Sequence, residues 1–295
     1  MVPYLLIELS YPMISVIIPA HNEDKVIAAS LKELVPGTDT DELEIIVVCN
    51  GCSDNTVRVV AAFGPAVRCI ETDQSGKANA LNLGDAAAAG FPRIYQDADV
   101  VINIGTVRKI ANILREGVFL AAAPEMRMDF VNASWPVRAY YEVWQRLPYV
   151  KEGLIGTGVY ALSEKGRRRF DTFPSVIADD GYIRALFKAQ ERTVLKSCYS
   201  LVRAPANLNG LIKIKTRSRL GGYELKEKFP ELMQNEEKNY GSAVFELSKQ
   251  FNLWFKYFIY LYVNIIARLR AIKHARAYGF SGWERDESSR EQMDK

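Results

Sequence analysis

The sequence predicts an α/β fold: a mainly parallel sheet flanked by helices, followed by a C-terminal helical segment that associates with a membrane surface. Three observations carry that expectation. Short β-branched runs alternate with helix-period segments over roughly the first hundred residues. Polar residues gather where three of those runs end. An aromatic stretch meets a cluster of cations near the C-terminus.

The first run, 14–18 (Ile-Ser-Val-Ile-Ile), stops at Pro19 and reads as a strand buried on both faces. Ile27, Leu31 and Leu34 then repeat at helical spacing up to Pro36-Gly37. Residues 44–49 form a second strand. Asn50-Gly51 turns the chain, and Ser53-Asp54 can cap a helix over 55–63. Residues 67–71 are a third strand, 78–89 an Ala-rich helix, and 93–97 a fourth strand ending in acid. A helix at 106–115 follows, then one or two strands within 118–131 and an aromatic-rich helix at 135–147. A strand at 158–162, a helix at 181–189 and a long helical segment from about 240 complete the chain. Strand–helix alternation at this pace means right-handed βαβ units, so the strand C-terminal ends share one edge, where open α/β sheets bind ligands. His21-Asn22-Glu23, Asn50 to Asp54 and Asp97-Ala98-Asp99 all fall there.

Composition narrows the function classes. The chain has 295 residues, 48% hydrophobic and 25% charged, which excludes disordered, collagen-like and coiled-coil chains. Its 38 basic and 35 acidic residues leave +3, too weak a balance for a nucleic-acid footprint. Residues 249–278 hold Lys249, Lys256, Arg268, Arg270, Lys273 and Arg276 and no acid, so the remainder carries +3 − 6 = −3. Four cysteines make no disulfide scaffold, and the lone Cys49-x-x-Cys52 reads as coincidence rather than zinc. Met1 to Glu8 lacks the basic region of a signal peptide, so a cytoplasmic protein is expected.

Each motif carries a chemistry and a bland alternative. Asp97 and Asp99, two apart at a strand end, can share Mg²⁺ or Mn²⁺; otherwise they are a solvated turn. Lys77, after Ser75-Gly76, can meet a phosphate or those acids, though the P-loop spacing is missing. Asp179-Asp180 precedes a helix, where acids suit the dipole, yet one of two adjacent carboxylates can act as a general base. Gly156-Thr157-Gly158 could let an acceptor approach the backbone. Lys213, Lys215, Arg217 and Arg219 are either a solvated face or a phosphate clamp. Phe251 to Ala267, with Asn252, Lys256 and Asn264 on one stripe, suits a helix lying in a membrane interface over about 249–278 better than a span.

Together these residues resemble the family 2 glycosyltransferases of the GT-A fold. The carriers are Ser15 to Glu23, Val48 to Thr56, Gly76 to Asn82, Asp97-Ala98-Asp99 and Asp179-Asp180, and the resemblance covers about 12–225. Pro205 to Gly210 is the candidate boundary between a catalytic domain over 1–208, with a strand core from about 12, and a helical segment over 209–295. The resemblance implies a non-processive, inverting transfer from a nucleotide-sugar donor, with a UDP-sugar favoured and a GDP-sugar as the alternative. Pro19, His21 and Glu23 would line the nucleotide pocket, with Asn50 and Asp54 beside it. Asp99 and Asp97 would hold the metal on the diphosphate. Lys77, Arg217 and Arg219 would face the donor, and Asp180, with Asp179 beside it, would be the base. Cys49 and Asn50 stand where the family often has acids, and the Gln-x-x-Arg-Trp motif of processive synthases is absent.

A C-terminal helix on the inner face of the cell membrane would meet anionic lipid, which makes a lipid-linked saccharide the expected acceptor and polysaccharide assembly the setting. An oligomer is left open. A nucleotidyltransferase is the rival, but the loop after the first strand is acidic and lacks glycine. A non-catalytic sugar-nucleotide module is the second rival. A Rossmann dehydrogenase lacks its Gly-x-Gly-x-x-Gly.

Overall fold

A computed structural model describes residues 13–35, 42–147, 150, 158–234, 253–282, 286 and 288. Eight strands form one sheet: β1 (Ile14–Ala20), β2 (Leu43–Asn50), β3 (Arg68–Thr72), β4 (Arg93–Gln96), β5 (Val100–Val101), β6 (Ala121–Asp129), β7 (Val159–Leu162) and β8 (Arg192–Arg203). Their order is β3-β2-β1-β4-β7-β6-β8-β5. The block β3-β2-β1-β4 is parallel throughout, so the ends of β1, β2 and β4 meet on one edge. β7 runs antiparallel to β4 and β6, which turns the sheet away from a simple doubly wound order.

The continuous apolar runs of β1 and β2 follow from burial on both faces. Ile14, Val16 and Ile18 enter one core cluster with α1 (Ile27–Leu34) and α4 (Ile104–Arg115). Ile17, Ile46 and Val48 enter the other with α3 (Lys77–Ala87). Each fully buried Ile contributes about 1.5–3 kcal/mol of transfer free energy. Short helices α2 (Thr56–Ala61), α6 (Glu164–Arg167), α7 (Asp179–Ala185) and α9 (Pro230–Met233) fill the connections. A third cluster joins α5 (Trp135–Trp144), α8 (Leu208–Lys228) and α10 (Trp254–Tyr278) through Val137, Tyr140, Leu211, Ile212, Tyr260 and Val263.

The region 118–131, expected to hold one or two strands, holds one, β6. Three other readings change. Asp179 and Asp180 are the first residues of α7 rather than a prelude to it, because the helix starts a full turn, four residues, before its apolar anchor Ile183. The 12-residue β8 was unpredicted: only from Cys198 onward does exposure alternate, and a register shift opposite Pro124/Glu125 disturbs the period before it. The 21-residue α8 was also unpredicted, since its cations at every second position mask a helical pattern. Asn207 caps it, with Oδ1 accepting from the Gly210 N–H at 3.0 Å. The helical segment expected from about 240 is described from Trp254, and 240–252 lie outside the described residues. No helix among the described residues is long and apolar enough to cross a membrane.

Candidate active site

The ends of β1 and β2 are laced together. The His21 Nδ1–H donates to the Asn50 carbonyl at 2.6 Å. Asn50 is 2% exposed, its Nδ2–H donating to the Ala20 carbonyl at 2.7 Å and its Oδ1 accepting from the Gly76 N–H at 2.9 Å. Asn50 is thus a brace across three loops, with both ends of its amide engaged. Gly51 (φ +58°) turns the chain directly against Ser75, where a Cβ would lie 2.9 Å from the Ser75 Cβ. Asn22 Oδ1 accepts from the Ser53 N–H at 2.8 Å, and the buried Glu23 donates its N–H to Thr56 Oγ1 at 2.7 Å. Burial would raise the Asp54 carboxyl, but hydrogen bonds from Thr56 and the Asp24 N–H outweigh it and hold it below the usual range. Asp54, rather than Ser53, supplies the oxygen at the start of α2.

The end of β4 and the start of α7 meet over Lys77. Its ammonium lies 2.7 Å from Asp97 Oδ1 and 2.9 Å from Asp179 Oδ1. Burial alone would lower the Lys77 pKa; Asp179 and Asp97 outweigh it and raise it, so the charge is held. Asp179 is 5% exposed, and its carboxyl is pushed up: burial leads, Lys77 opposes, and the Asp180 and Asp97 charges add to the rise. Lys77, Asp97, Asp179, Asp180, Tyr160 and Arg217 line one cleft, with Pro19 on its wall. Three carboxylates and two cations therefore converge from β4, α3, α7 and α8. Such a cleft can hold an anion at its cations and a hydroxyl at its acids.

Gly158 (φ +61°) fixes the wall beside Asp97. Its carbonyl accepts the Asp97 N–H at 2.8 Å, and a Cβ there would stand 2.4 Å from Val100 Cγ2. Gly156 and Thr157 lie outside the described residues. Asp99 lines a different cleft, with Asp129 and Arg203. The turn closed by the Val100 N–H on the Asp97 carbonyl (3.1 Å) sends the two acids of this pair to different sides. The expectation of one clamp from the basic run also changes. A helix places i and i+4 on one side, so Arg217 reaches the cleft while Arg219 donates from Nη2 to Asn264 Oδ1 of α10 at 2.7 Å. Lys215 points the same way as Arg219, into a box of Tyr140, Tyr141 and Trp144, with Nζ 4.3 Å from the Trp144 ring.

Two residues were not read from the sequence. Glu224 is 3% exposed; its Oε2 accepts the Ile177 N–H at 2.7 Å and its Oε1 the Lys228 ammonium at 2.7 Å, so α8 grips the segment that leads into Asp179. Tyr160 stands on β7 directly opposite Tyr95 in register. Neither belongs to a short motif; a signal for Tyr160 was its place two residues beyond Gly158.

A divalent cation is testable here on the chemistry of the donor set. Among the described residues no group of three or more acidic, His or Cys side chains stands ready to hold a metal. Mg²⁺ does not require one, because it binds through one or two carboxylates and completes its shell with water and substrate phosphate. Asp97 and Asp99 have the right chemistry for that mode, but they line different clefts, so the structure fits either carboxylate singly and not the two as a shared pair.

The chain matches the family model described as glycosyl transferase family 2 over residues 15–170, just over half its length. It is 40% identical over 96 residues to the probable glycosyltransferase YdaM of Bacillus subtilis, covering 30% of this chain and 23% of that protein. It is 30% identical over 129 residues to the dolichyl-phosphate beta-glucosyltransferase of Drosophila melanogaster, covering 39% and 38%. The chain thus spans well under half the length of these curated relatives. Among solved structures, the mannosyltransferase PcManGT of Pyrobaculum calidifontis, in complex with GDP-Man and Mn²⁺, superposes with a TM-score of 0.59 at 20% identity, covering 90% of this chain and 76% of that one. Glucosyl-3-phosphoglycerate synthase of Mycobacterium tuberculosis, in complex with Mn²⁺, UDP and glucosyl-3-phosphoglycerate, gives 0.53 at 20% identity, covering 74% and 80%. These likenesses show the fold.

Proposed function

This chain belongs to glycosyl transferase family 2, and on that premise we propose that it moves one sugar from a nucleotide-sugar donor to an acceptor hydroxyl with inversion at the anomeric carbon. The observation that supports this most is the single cleft that gathers Asp97, Asp179 and Asp180 with Lys77 and Arg217. His21, Glu23 and Pro19 form the floor of the nucleotide pocket, and Asn50 and Asp54 hold its loops in place. Asp97, in the cleft, would hold Mg²⁺ or Mn²⁺ as its single carboxylate, and Asp99 would join it only by swinging its side chain over from the neighbouring cleft. Such a cation, when bound, neutralises charge on the departing diphosphate.

The chain's own groups do the rest. Asp180 takes the proton of the acceptor hydroxyl as that oxygen attacks opposite the diphosphate. Arg217 meets the leaving diphosphate, since a guanidinium forks onto phosphate oxygens. Lys77 holds Asp97 and Asp179 in place and offsets their charge. The backbone around Gly158 borders the acceptor side. The acceptor is a lipid-linked saccharide in polysaccharide assembly, and the enzyme works in the cytoplasm at the inner membrane face. The support is α10, whose outward face is apolar and whose C-terminal half is basic. Among UDP-, GDP- and dTDP-sugars offered with Mn²⁺, at least one should raise the melting temperature. No shift with any of them overturns the reading.

A further inference from the structure

Tyr95 and Tyr160 face each other across β4 and β7 with their rings stacked at 5.1 Å, yet their hydroxyls differ. The Tyr95 O–H donates to Asp85 Oδ1. Tyr160 lines the cleft, and its hydroxyl is buried with no hydrogen-bond partner among the described residues. Asp179 shows the same pattern: Oδ1 is held by Lys77, while the buried Oδ2 has none. Two unsatisfied polar atoms on one cleft wall are costly unless something fills the space between wall and donor. As packing alone, Tyr160 would do no worse as Phe.

We propose that the Tyr160 hydroxyl and Asp179 Oδ2 form a subsite for the ring hydroxyls of the sugar being transferred. The proposal rests on the glycosyl-transfer reading above and deepens it. A sugar hydroxyl both donates and accepts. It accepts from the Tyr160 O–H and donates to Asp179 Oδ2, so the pair supplies what vicinal hydroxyls need. Burial, then the Asp179 charge, raise the Tyr160 pKa well above its ordinary value, so it stays a donor. Asp180, more open than Asp179, is left to the acceptor.

The test is calorimetric titration of the 295-residue chain with Mn²⁺ and no acceptor, using UDP, UDP-glucose, GDP and GDP-mannose. Wild type and Tyr160→Phe are compared. Tyr160→Phe should weaken the sugar nucleotide about tenfold while leaving the free diphosphate unchanged, as expected for one lost hydrogen bond. It should also melt no lower than wild type, because it removes an unsatisfied hydroxyl. A donor analogue lacking the contacted hydroxyl should bind both proteins alike. Equal binding of sugar nucleotide to both proteins means the hydroxyl holds only water, and overturns the proposal. Equal weakening of diphosphate and sugar nucleotide overturns it as well. If no nucleotide binds wild type, the glycosyl-transfer reading fails first and takes the subsite with it.

Discussion

The Lys77 ammonium reaches Asp179 at 2.9 Å, joining the first residue of α3 to the first residue of α7. The same ammonium holds Asp97 at 2.7 Å. Three segments far apart in sequence are thereby fixed around one cation, and the helix that carries Asp180 is set by it.

Lys77→Met should therefore cost both stability and turnover. Removing one member of a buried pair leaves its partners uncompensated, which costs about 3–5 kcal/mol when burial is complete. Lys77 is 34% exposed, so solvent screening reduces this to about 1–3 kcal/mol. Lys77→Arg keeps the charge and should recover most of the stability. Chemical denaturation of the three proteins checks the order. A Met variant as stable as wild type would remove Lys77 as the organiser of this site.

Asp180→Asn should lower kcat by about 10²–10⁴-fold, the usual worth of a positioned base. Donor affinity should change little, because the base acts on the acceptor. Single-turnover kinetics beside donor titration separates the two effects. Activity near wild type would dismiss Asp180 as the base.

Much of this site was legible because it sits at strand ends. Ile14 to Ile18 and Leu43 to Cys49 announce themselves as two-face strands, and the polar residues that follow them fall on one edge. The direction of individual side chains was not legible. Asp97 and Asp99 read as a pair, but a turn between them separates their side chains. The cations at 213, 215, 217 and 219 read as one patch, but the helical period divides them between cleft and core. Asn50 read as standing beside the nucleotide pocket, and its amide is spent on Ala20 and Gly76.

Removing divalent metal should abolish most of the donor-induced thermal shift, and added Mn²⁺ should restore it. Asp99→Asn should need about tenfold more Mn²⁺ for the same shift, since a lost ligand costs on the order of 1.4 kcal/mol. The melting temperature without ligand is read beside it, so that a lost ligand is told from a disturbed fold. An unchanged Mn²⁺ requirement would take Asp99 out of the metal site.

Lys215 makes the pH dependence of stability testable. Burial, then the charge of Arg219, pull its pKa from 10.5 down to about 7. Between those values the unfolded chain binds a proton that the folded chain does not, so stability from this group rises as pH climbs from about 7 toward 10.5. Below about 7 the full penalty stands. Lys215→Met keeps the bulk without the charge and should stabilise the protein by about 1–3 kcal/mol at pH 6.5, with the gap closing by pH 10. The three surrounding rings oppose this by cation–π attraction. A destabilised Met variant at pH 6.5 would mean that the rings outweigh desolvation.

The outward face of α10 carries the prediction that reaches furthest from the cleft. Phe255, Phe258, Tyr262, Ile265 and Leu269 follow at alternating steps of three and four residues, each between 52% and 69% exposed. Tyr260, Val263, Ala267 and Ala271 are buried on the opposite side, so the helix is anchored and its apolar stripe turned outward. Trp135 extends the stripe, its ring 5.4 Å from that of Phe255. Arg268, Arg270, Lys273 and Arg276 cluster at the far end, and 249–278 hold no acid. Each cation near an anionic bilayer contributes about 1 kcal/mol, so four separate anionic from neutral vesicles by about 10³-fold in affinity. The 295-residue chain should float with vesicles containing phosphatidylglycerol, not with pure phosphatidylcholine, and less so as salt rises. Phe258→Glu with Leu269→Glu should abolish flotation at an unchanged melting temperature, because both side chains already face water. A stripe of this spacing also suits a helix of a second copy. A concentration-dependent dimer that the same substitutions dissolve, without flotation, would assign α10 to self-association and withdraw the membrane from this enzyme's setting.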